Sequence, residues 1–146
     1  MRFFMLCVPA LFLTLSACES EPETPAHQRA QAFKSMLKQY EALGLVARDV
    51  HPYDAAKFAQ LASAYKLSAQ TPFLHFTAPD LEQKGRSKPE VWTQSARFNQ
   101  ARDVYLAEVA AFAQVAQNGD FSTIKARYQI LGQHCKSCHD VFRQPN

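Results

Sequence analysis

The sequence predicts an all-α fold, an antiparallel four-helix bundle, on three observations. Apolar residues recur at intervals of three and four along four segments, which is the spacing of one helix face. Proline, glycine and aspartate residues interrupt the chain between these segments. No segment alternates apolar and polar residues as a half-buried strand does. With 146 residues, the chain is expected to form one domain.

The first two helices are predicted on either side of a break at residues 49–52. A threonine cap followed by proline, Thr24-Pro25, is typical of a helix start. The apolar face of the first helix consists of Ala26, Ala30, Phe33, Leu37, Tyr40, Gly44 and Ala47. The second helix is expected to start near Pro52 or Tyr53. Its buried positions are Phe58, Leu61, Tyr65 and Ser68.

The last two helices follow a long predicted loop at residues 73–88, which is either functional or a crossover connection. The third helix should start near residues 87–90 and end at Asn118-Gly119. It buries Trp92, Phe98, Ala101, Tyr105, Val109, Phe112 and Ala116. Asp120 is expected to cap the fourth helix. That helix buries Ile124, Tyr128, Leu131, Cys135, Cys138 and Phe142.

Residues 1–17 have the pattern of an export signal of the lipoprotein type. A charged start precedes an apolar run that is too short to span a bilayer as a mature helix. The segment Leu-Ser-Ala-Cys ending at Cys18 resembles a lipobox, whose cysteine becomes lipidated. We therefore expect Cys18 and a flexible tether over residues 18–25, followed by the bundle over residues 26–146.

This reading predicts a periplasmic protein that is held at a membrane by its lipid anchor alone. Glu19 is compatible with the outer membrane, and a soluble periplasmic protein is the alternative. The net charge is +3, and removal of the signal lowers it by one unit because Arg2 is lost. A chain so close to neutral has no basic patch of the kind that nucleic-acid binding requires.

The motif that carries chemistry is Cys-Lys-Ser-Cys-His, from Cys135 to His139. This C-x-x-C-H pattern is the attachment signature of c-type haem. Two thiols three residues apart on a helix, Cys135 and Cys138, point the same way and can both form thioethers with haem. His139 then lies under the iron as its axial ligand.

Three other readings of this cysteine pair have less support. A thioredoxin-like redox pair needs a βαβ setting and a helix N-terminus, whereas this pair lies near the end of a helix. A zinc site needs further ligands, and only His134 is near in sequence. A disulfide between such close neighbours would close too short a loop to stabilise the chain much.

Several blocks, taken in order, resemble the cytochrome c′ family and the related cytochromes c-556. They are Arg29-x3-Phe33-x2-Met36, Pro-Tyr-Asp-Ala-Ala from Pro52, Pro-Glu-Val-Trp from Pro89, and the nine residues from Cys135 to Arg143. The resemblance implies one covalently bound haem c near the end of the last helix, and a homodimer through the first two helices. Phe73, expected in the pocket lining, departs from the family pattern, which has tryptophan after the proline.

The resemblance also implies roles for residues on both sides of the iron. Arg143 should border the proximal side, and Arg29 should lie near a haem propionate. The distal position lies four residues after that arginine and is occupied by Phe33, whose ring has no lone pair for iron. A five-coordinate haem is therefore expected. Met36 is either a competing sulfur ligand or a core side chain.

These expectations favour a haem protein that binds small gases such as nitric oxide or carbon monoxide, transfers single electrons, or does both. The alternative is a six-coordinate, low-spin electron carrier with Met36 as the distal ligand. The expected partners are redox proteins of a respiratory chain. An enzyme has least support, because no acid–base pair or nucleophile arrangement is evident.

Overall fold

The computed structural model describes residues 24–77, 79 and 85–145, and the fold is all-α as expected. Four long helices form the bundle, and a 3₁₀ helix and a short α-helix lie between the second and third of them. The α-helices are α1 (Pro25–Ala47), α2 (Ala55–Ser68), α3 (Glu90–Thr93), α4 (Ser95–Asn118) and α5 (Phe121–Phe142), and the 3₁₀ helix is Thr71–His75. The predicted signal and Cys18 lie outside the described residues.

Side-chain caps fix where three of the long helices begin. The hydroxyl of Thr24 accepts a hydrogen bond from the amide of His27, and Pro25 is the first residue of α1. Asp120 accepts from the amide of Thr123 at the start of α5. Both predicted caps are confirmed. Each satisfies an amide that the helix itself leaves without a partner.

Three predicted boundaries are wrong. The second helix begins at Ala55, because Asp54 accepts from the amide of Lys57 and caps it there. The predicted loop is partly ordered, since the 3₁₀ helix Thr71–His75 occupies its start. The third predicted helix is divided at Gln94, whose ψ of 44° is not helical, so that α3 and α4 are separate.

The core is formed where α2 and α5 each pack against α4, and where α1 packs against α2. Tyr65, Phe58, Phe112, Leu43, Ile124 and Leu131 are its largest fully buried side chains. Leu37, which we expected on the buried face of α1, is 49% exposed. This side chain faces a cavity between the helices, which Ala26, Ala30, Phe33 and Tyr40 of the same predicted face also line.

The chain after the undescribed residues 80–84 is bound to the end of α5. Ser87 and Arg143 form an antiparallel bridge. The amide of Lys88 donates to the carbonyl of Phe142 at 2.9 Å, and the amide of Gln144 donates to the carbonyl of Arg86 at 2.8 Å. Within the described ranges, no helix is both long and apolar enough to cross a bilayer.

Candidate haem site

A cavity of about 1100 Å³ is lined by residues of α1, α4, α5 and the 3₁₀ helix, with Tyr65 of α2 and Val91 of α3. The helices α1 and α5 contact each other far less extensively than the other neighbouring long helices do, and the cavity lies between them. Every site residue that the sequence predicted within the described chain lines this cavity. These residues are Arg29, Phe33, Met36, Phe73, Cys135, Cys138, His139 and Arg143.

The two thiols lie in the last turns of α5, where both are free and half-buried. Burial raises the pKa of Cys135 to about 11, with a further contribution from Cys138. Burial also raises the pKa of Cys138. Both groups therefore remain thiols at neutral pH, unlike the acidified thiolate of a thioredoxin-like pair.

The imidazole of His139 is neutral at pH 7. Partial burial lowers its pKa, the positive charges of Arg143 and Arg86 lower it further, and Asp140 opposes them. A neutral imidazole has a lone pair on one ring nitrogen and can bind iron. Nη1 of Arg143 lies 3.4 Å from Nδ1 of His139, so the arginine borders this side of the cavity as expected.

Four phenylalanine rings form an aromatic part of the cavity lining: Phe33, Phe73, Phe76 and Phe98. The ring of Phe33 meets Phe73 edge-on with centroids 5.9 Å apart, and it meets Phe76 in the same way at 6.3 Å. Phe98 lies 4.8 Å from Phe76, ring centre to ring centre. Phe33 therefore packs edge-on against two rings of this aromatic cluster, in a geometry that aromatic pairs favour.

Arg29 is almost fully buried, with 4% of its surface exposed. Its Nη1 donates to the carbonyl oxygen of His75 at 2.8 Å. Its guanidinium carbon lies 4.6 Å from the centre of the Phe76 ring. The predicted propionate-binding arginine therefore also fastens the end of the 3₁₀ helix to α1.

A chain of buried hydroxyl groups reaches Met36 from the neighbouring helices. The hydroxyls of Tyr65 and Tyr105 are 2.6 Å apart, and the Tyr105 hydroxyl donates to Sδ of Met36 at 3.4 Å. Burial raises the pKa of Tyr65, and Tyr105 adds to this rise. Burial likewise raises the pKa of Tyr105, although the hydrogen bond with Tyr65 acts in the opposite direction.

The residues of the cavity fit a c-type haem. Two thiols at three-residue spacing adjoin an imidazole, and phenylalanine rings belong to the same lining. Four arginines line the cavity and can pair with the acidic substituents of haem: Arg29, Arg86, Arg102 and Arg143. Among the described residues, no carboxylate side chain belongs to the lining. No cluster of three or more potential ligands for a metal ion occurs in this part of the chain either.

Comparison with protein families gives a match over residues 24–143 to the family described as cytochrome C′. This match spans the whole bundle and the haem motif. The chain belongs to the cytochrome c′ family. Members of this family carry covalently attached haem c, and the chain is therefore a c-type haem protein.

Relatives of the cytochrome c′ family align over nearly their whole length. Cytochrome c′ of Pararhodospirillum photometricum is 32% identical, with 86% of this chain and all of the relative covered. Cytochrome c′ of Alcaligenes xylosoxydans xylosoxydans is 27% identical, covering 86% of this chain and 97% of the relative. Cytochrome c-556 of Rhodopseudomonas palustris is 29% identical over 92% of this chain and 91% of the relative.

Solved structures of cytochrome c′ share the fold. A ferrous variant of cytochrome c prime from Alcaligenes xylosoxidans superposes with a TM-score of 0.79 at 26% identity, covering 87% of this chain and 98% of that one. A nitric oxide complex of another mutant of that protein gives a TM-score of 0.79 at 27% identity, with the same coverage. Four-helix bundles of the cytochrome c′ type are therefore the structural neighbours of this chain.

Sequence reasoning missed three parts of this cytochrome c′ site. Phe76 follows Phe73 at the three-residue spacing of a 3₁₀ turn, and that signal lay inside the predicted loop. Arg86 enters the lining because its backbone pairs with the end of α5. The contact between Tyr105 and Met36 joins residues far apart in the sequence, and no local pattern predicts it.

Proposed function

We propose that this protein holds one haem c through thioethers of Cys135 and Cys138, with His139 as the axial ligand of iron. The spacing of these residues on α5, their position in the cavity wall and the neutral imidazole support this assignment. Bound haem supplies an iron that can change oxidation state by one electron or bind a small ligand. The chain's own residues decide which of these the site favours.

Phe33 is proposed to cover the distal face of the haem without bonding iron. The packed contacts of its ring with Phe73 and Phe76 are the observation that carries this proposal. A benzyl side chain has no lone pair, so the iron would remain five-coordinate. The site would then admit small uncharged ligands such as nitric oxide or carbon monoxide. A ligand entering this face must displace Phe33 and lose those packing contacts.

Carbon monoxide binding to the ferrous holoprotein tests the proposal. Displacement of a packed side chain costs about 1–3 kcal/mol, so Phe33→Ala should accelerate association roughly tenfold or more. The matched control is Phe121→Ala, since Phe121 stacks on Tyr53 outside the cavity. Equal association rates for the wild type and Phe33→Ala would show that Phe33 does not block the iron.

The second candidate is a low-spin electron carrier in which Met36 is the sixth ligand of iron. It is favoured by the presence of Met36 in the cavity lining. If this is correct, Met36→Leu should change the optical spectrum and the reduction potential, because a thioether ligand raises the potential of haem iron. Under the five-coordinate proposal, both should stay as in the wild type. Electron transfer to respiratory partners is compatible with either coordination.

The site is proposed to work at a membrane surface in the periplasm, through acyl chains on Cys18. More than one acyl chain gives stable anchoring, whereas a single chain binds only reversibly. Cys18→Ser should release the protein into the soluble periplasmic fraction, and Cys7→Ser is the control. An unchanged membrane fraction for Cys18→Ser would contradict the anchor.

A homodimer through α1 and α2 is also proposed. Leu67 on α2 is 74% exposed and lies outside the haem cavity, so this side chain is available for contact with another chain. Sedimentation of the holoprotein should give twice the monomer mass. Leu67→Lys should lower this mass by placing a charge in the contact.

A further inference from the structure

Met36 is held by a hydrogen bond rather than merely packed. Its sulfur accepts from the Tyr105 hydroxyl at 3.4 Å, and only 8% of the methionine is exposed. A thioether is a weak acceptor, so it rarely receives a buried phenol proton when another acceptor is within reach. The hydroxyl of Tyr65 lies 2.6 Å from Tyr105 and is the competing acceptor.

The direction of this small network follows from counting protons. Each tyrosine hydroxyl has one proton to donate, and both hydroxyls are withdrawn from water. If Tyr65 donates to Tyr105, then Tyr105 can donate to Met36, and two bonds form. The reverse direction makes only one bond and leaves the proton of Tyr65 without an acceptor in the contacts described here. Burial strongly favours the arrangement with more bonds.

The three groups come from three different helices. Met36 is on α1, Tyr65 on α2 and Tyr105 on α4, and all three line the cavity. The Met36 sulfur is therefore held by hydrogen-bonding groups on α2 and α4, whereas the haem motif is on α5. A free methionine side chain has three rotatable bonds and reorients readily, so this hydrogen bond adds to the core packing that fixes the position of Met36.

We propose that Tyr105, oriented by Tyr65, is a positioning residue that holds the Met36 thioether on the cavity wall and so keeps it from binding the iron. This inference rests on the five-coordinate haem proposed above and deepens it. The chain contains both a possible sulfur ligand and the group that restrains it. One hydroxyl group then separates a gas-binding site from a low-spin carrier.

Spin-state measurement on the ferric holoprotein tests this role. Tyr105→Phe removes the donor and keeps the ring, and it should raise the ratio of low-spin to high-spin haem about fivefold, which is about 1 kcal/mol. Tyr128→Phe is the matched control, because the buried Tyr128 hydroxyl accepts a hydrogen bond from Arg48 and lies outside the cavity lining. It also removes one buried hydroxyl but leaves the Tyr105 donor in place, so the ratio should change less than about twofold. Tyr105→Phe combined with Met36→Leu should return to the wild-type ratio.

The outcomes separate this inference from the proposed function. A low-spin wild type would overturn the five-coordinate proposal itself. A high-spin wild type whose ratio is unchanged in Tyr105→Phe would overturn only the positioning role. A low-spin Tyr105→Phe protein that stays low-spin after Met36→Leu would also overturn it, because another ligand would then be responsible.

A second measurement requires no substitution. In the ferrous carbon monoxide complex, the Met36 methyl group should show a nuclear Overhauser contact with the ring protons of Tyr105. This contact follows from the distance between the hydroxyl and the sulfur. Its absence would place the sulfur elsewhere in the holoprotein and would overturn the inference even if Tyr105→Phe does not fold.

Discussion

The guanidinium of Arg29 stacks on the ring of Phe76 and donates a hydrogen bond to the carbonyl oxygen of the preceding residue, His75. These two contacts join α1 to the end of the 3₁₀ helix. The ring of Phe76 in turn contacts Phe33 on the cavity wall. The position of the aromatic wall therefore depends on a buried cation as well as on apolar packing.

Arg29→Met should destabilise the holoprotein by about 2–3 kcal/mol. A hydrogen bond from a charged group is lost, and the carbonyl of His75 is left without that partner. Urea denaturation measures the change. Arg97→Met is the control, because Arg97 is exposed and donates a hydrogen bond to the nearby Gln94 side chain; its effect should stay within about 0.5 kcal/mol. Similar losses for both variants would contradict the structural role of Arg29.

The double change Cys135→Ser and Cys138→Ser should abolish covalent haem attachment, because these two are the thiols that the described residues place in the cavity wall. Haem should then be extractable from the denatured protein into organic solvent. Ser137→Ala is the control, since Ser137 lies between the cysteines and is exposed. Haem that stays with the double variant after denaturation would disprove the assignment of these cysteines.

Much of the fold follows from local signals in the sequence. The caps at Thr24 and Asp120 were predicted because a short polar side chain before an apolar period satisfies amides at a helix start. The break at Gln94 was not predicted, because apolar residues recur at helical spacing both before and after it and so suggest one continuous helix. That break depends on the docking of α3 against α5, which is a tertiary contact.

Gly132→Ala should destabilise the protein by about 1–3 kcal/mol, although alanine normally stabilises a helix relative to glycine. A Cβ atom at this position would lie 2.7 Å from the hydroxyl oxygen of Tyr40, which is too close. The next ring atom, Cζ of Tyr40, would lie at an ordinary 3.9 Å. Thermal or urea unfolding of the variant measures the loss.

The background variant Tyr40→Phe provides the control for this overlap. With the hydroxyl removed, Gly132→Ala should be neutral or stabilising by up to about 1 kcal/mol. The two changes should therefore show a coupling energy of at least about 1 kcal/mol in a double-mutant cycle. Additive effects would mean that Tyr40 is not the group that requires glycine at 132.

The cap at Asp120 makes stability depend on pH in the acid range. Hydrogen bonds from the hydroxyls of Ser122 and Thr123, and then from the Thr123 amide, lower the pKa of Asp120 in the folded state. The unfolded carboxyl titrates near its ordinary value of about 3.9. Its contribution to stability is therefore complete above about pH 4 and is lost as the pH falls below that.

Unfolding of Asp120→Asn at several pH values checks this dependence. The variant should be less stable than the wild type at pH 7, and the difference should shrink below about pH 4. Asp103→Asn is the control, because Asp103 lies within α4 and caps no helix. A difference that stays constant down to pH 2 would show that the charge of Asp120 is not involved.

The residues that attach the haem could be predicted from the sequence, whereas the environment of the neighbouring Met36 could not. Cys135, Cys138 and His139 follow from one short motif, because attachment chemistry fixes their spacing on a helix. The environment of Met36 did not follow, since it depends on Tyr65 and Tyr105 from two other helices. Whether a sulfur beside the haem binds iron is decided by such long-range contacts, and a single sequence does not contain them.

The most direct test is the spin state of iron in the ferric wild-type holoprotein, measured by electron paramagnetic resonance and resonance Raman spectroscopy. With Phe33 against the distal face and Met36 held by Tyr105, both spectra should report a five-coordinate, high-spin haem. A six-coordinate, low-spin spectrum with sulfur or nitrogen opposite His139 would contradict this account.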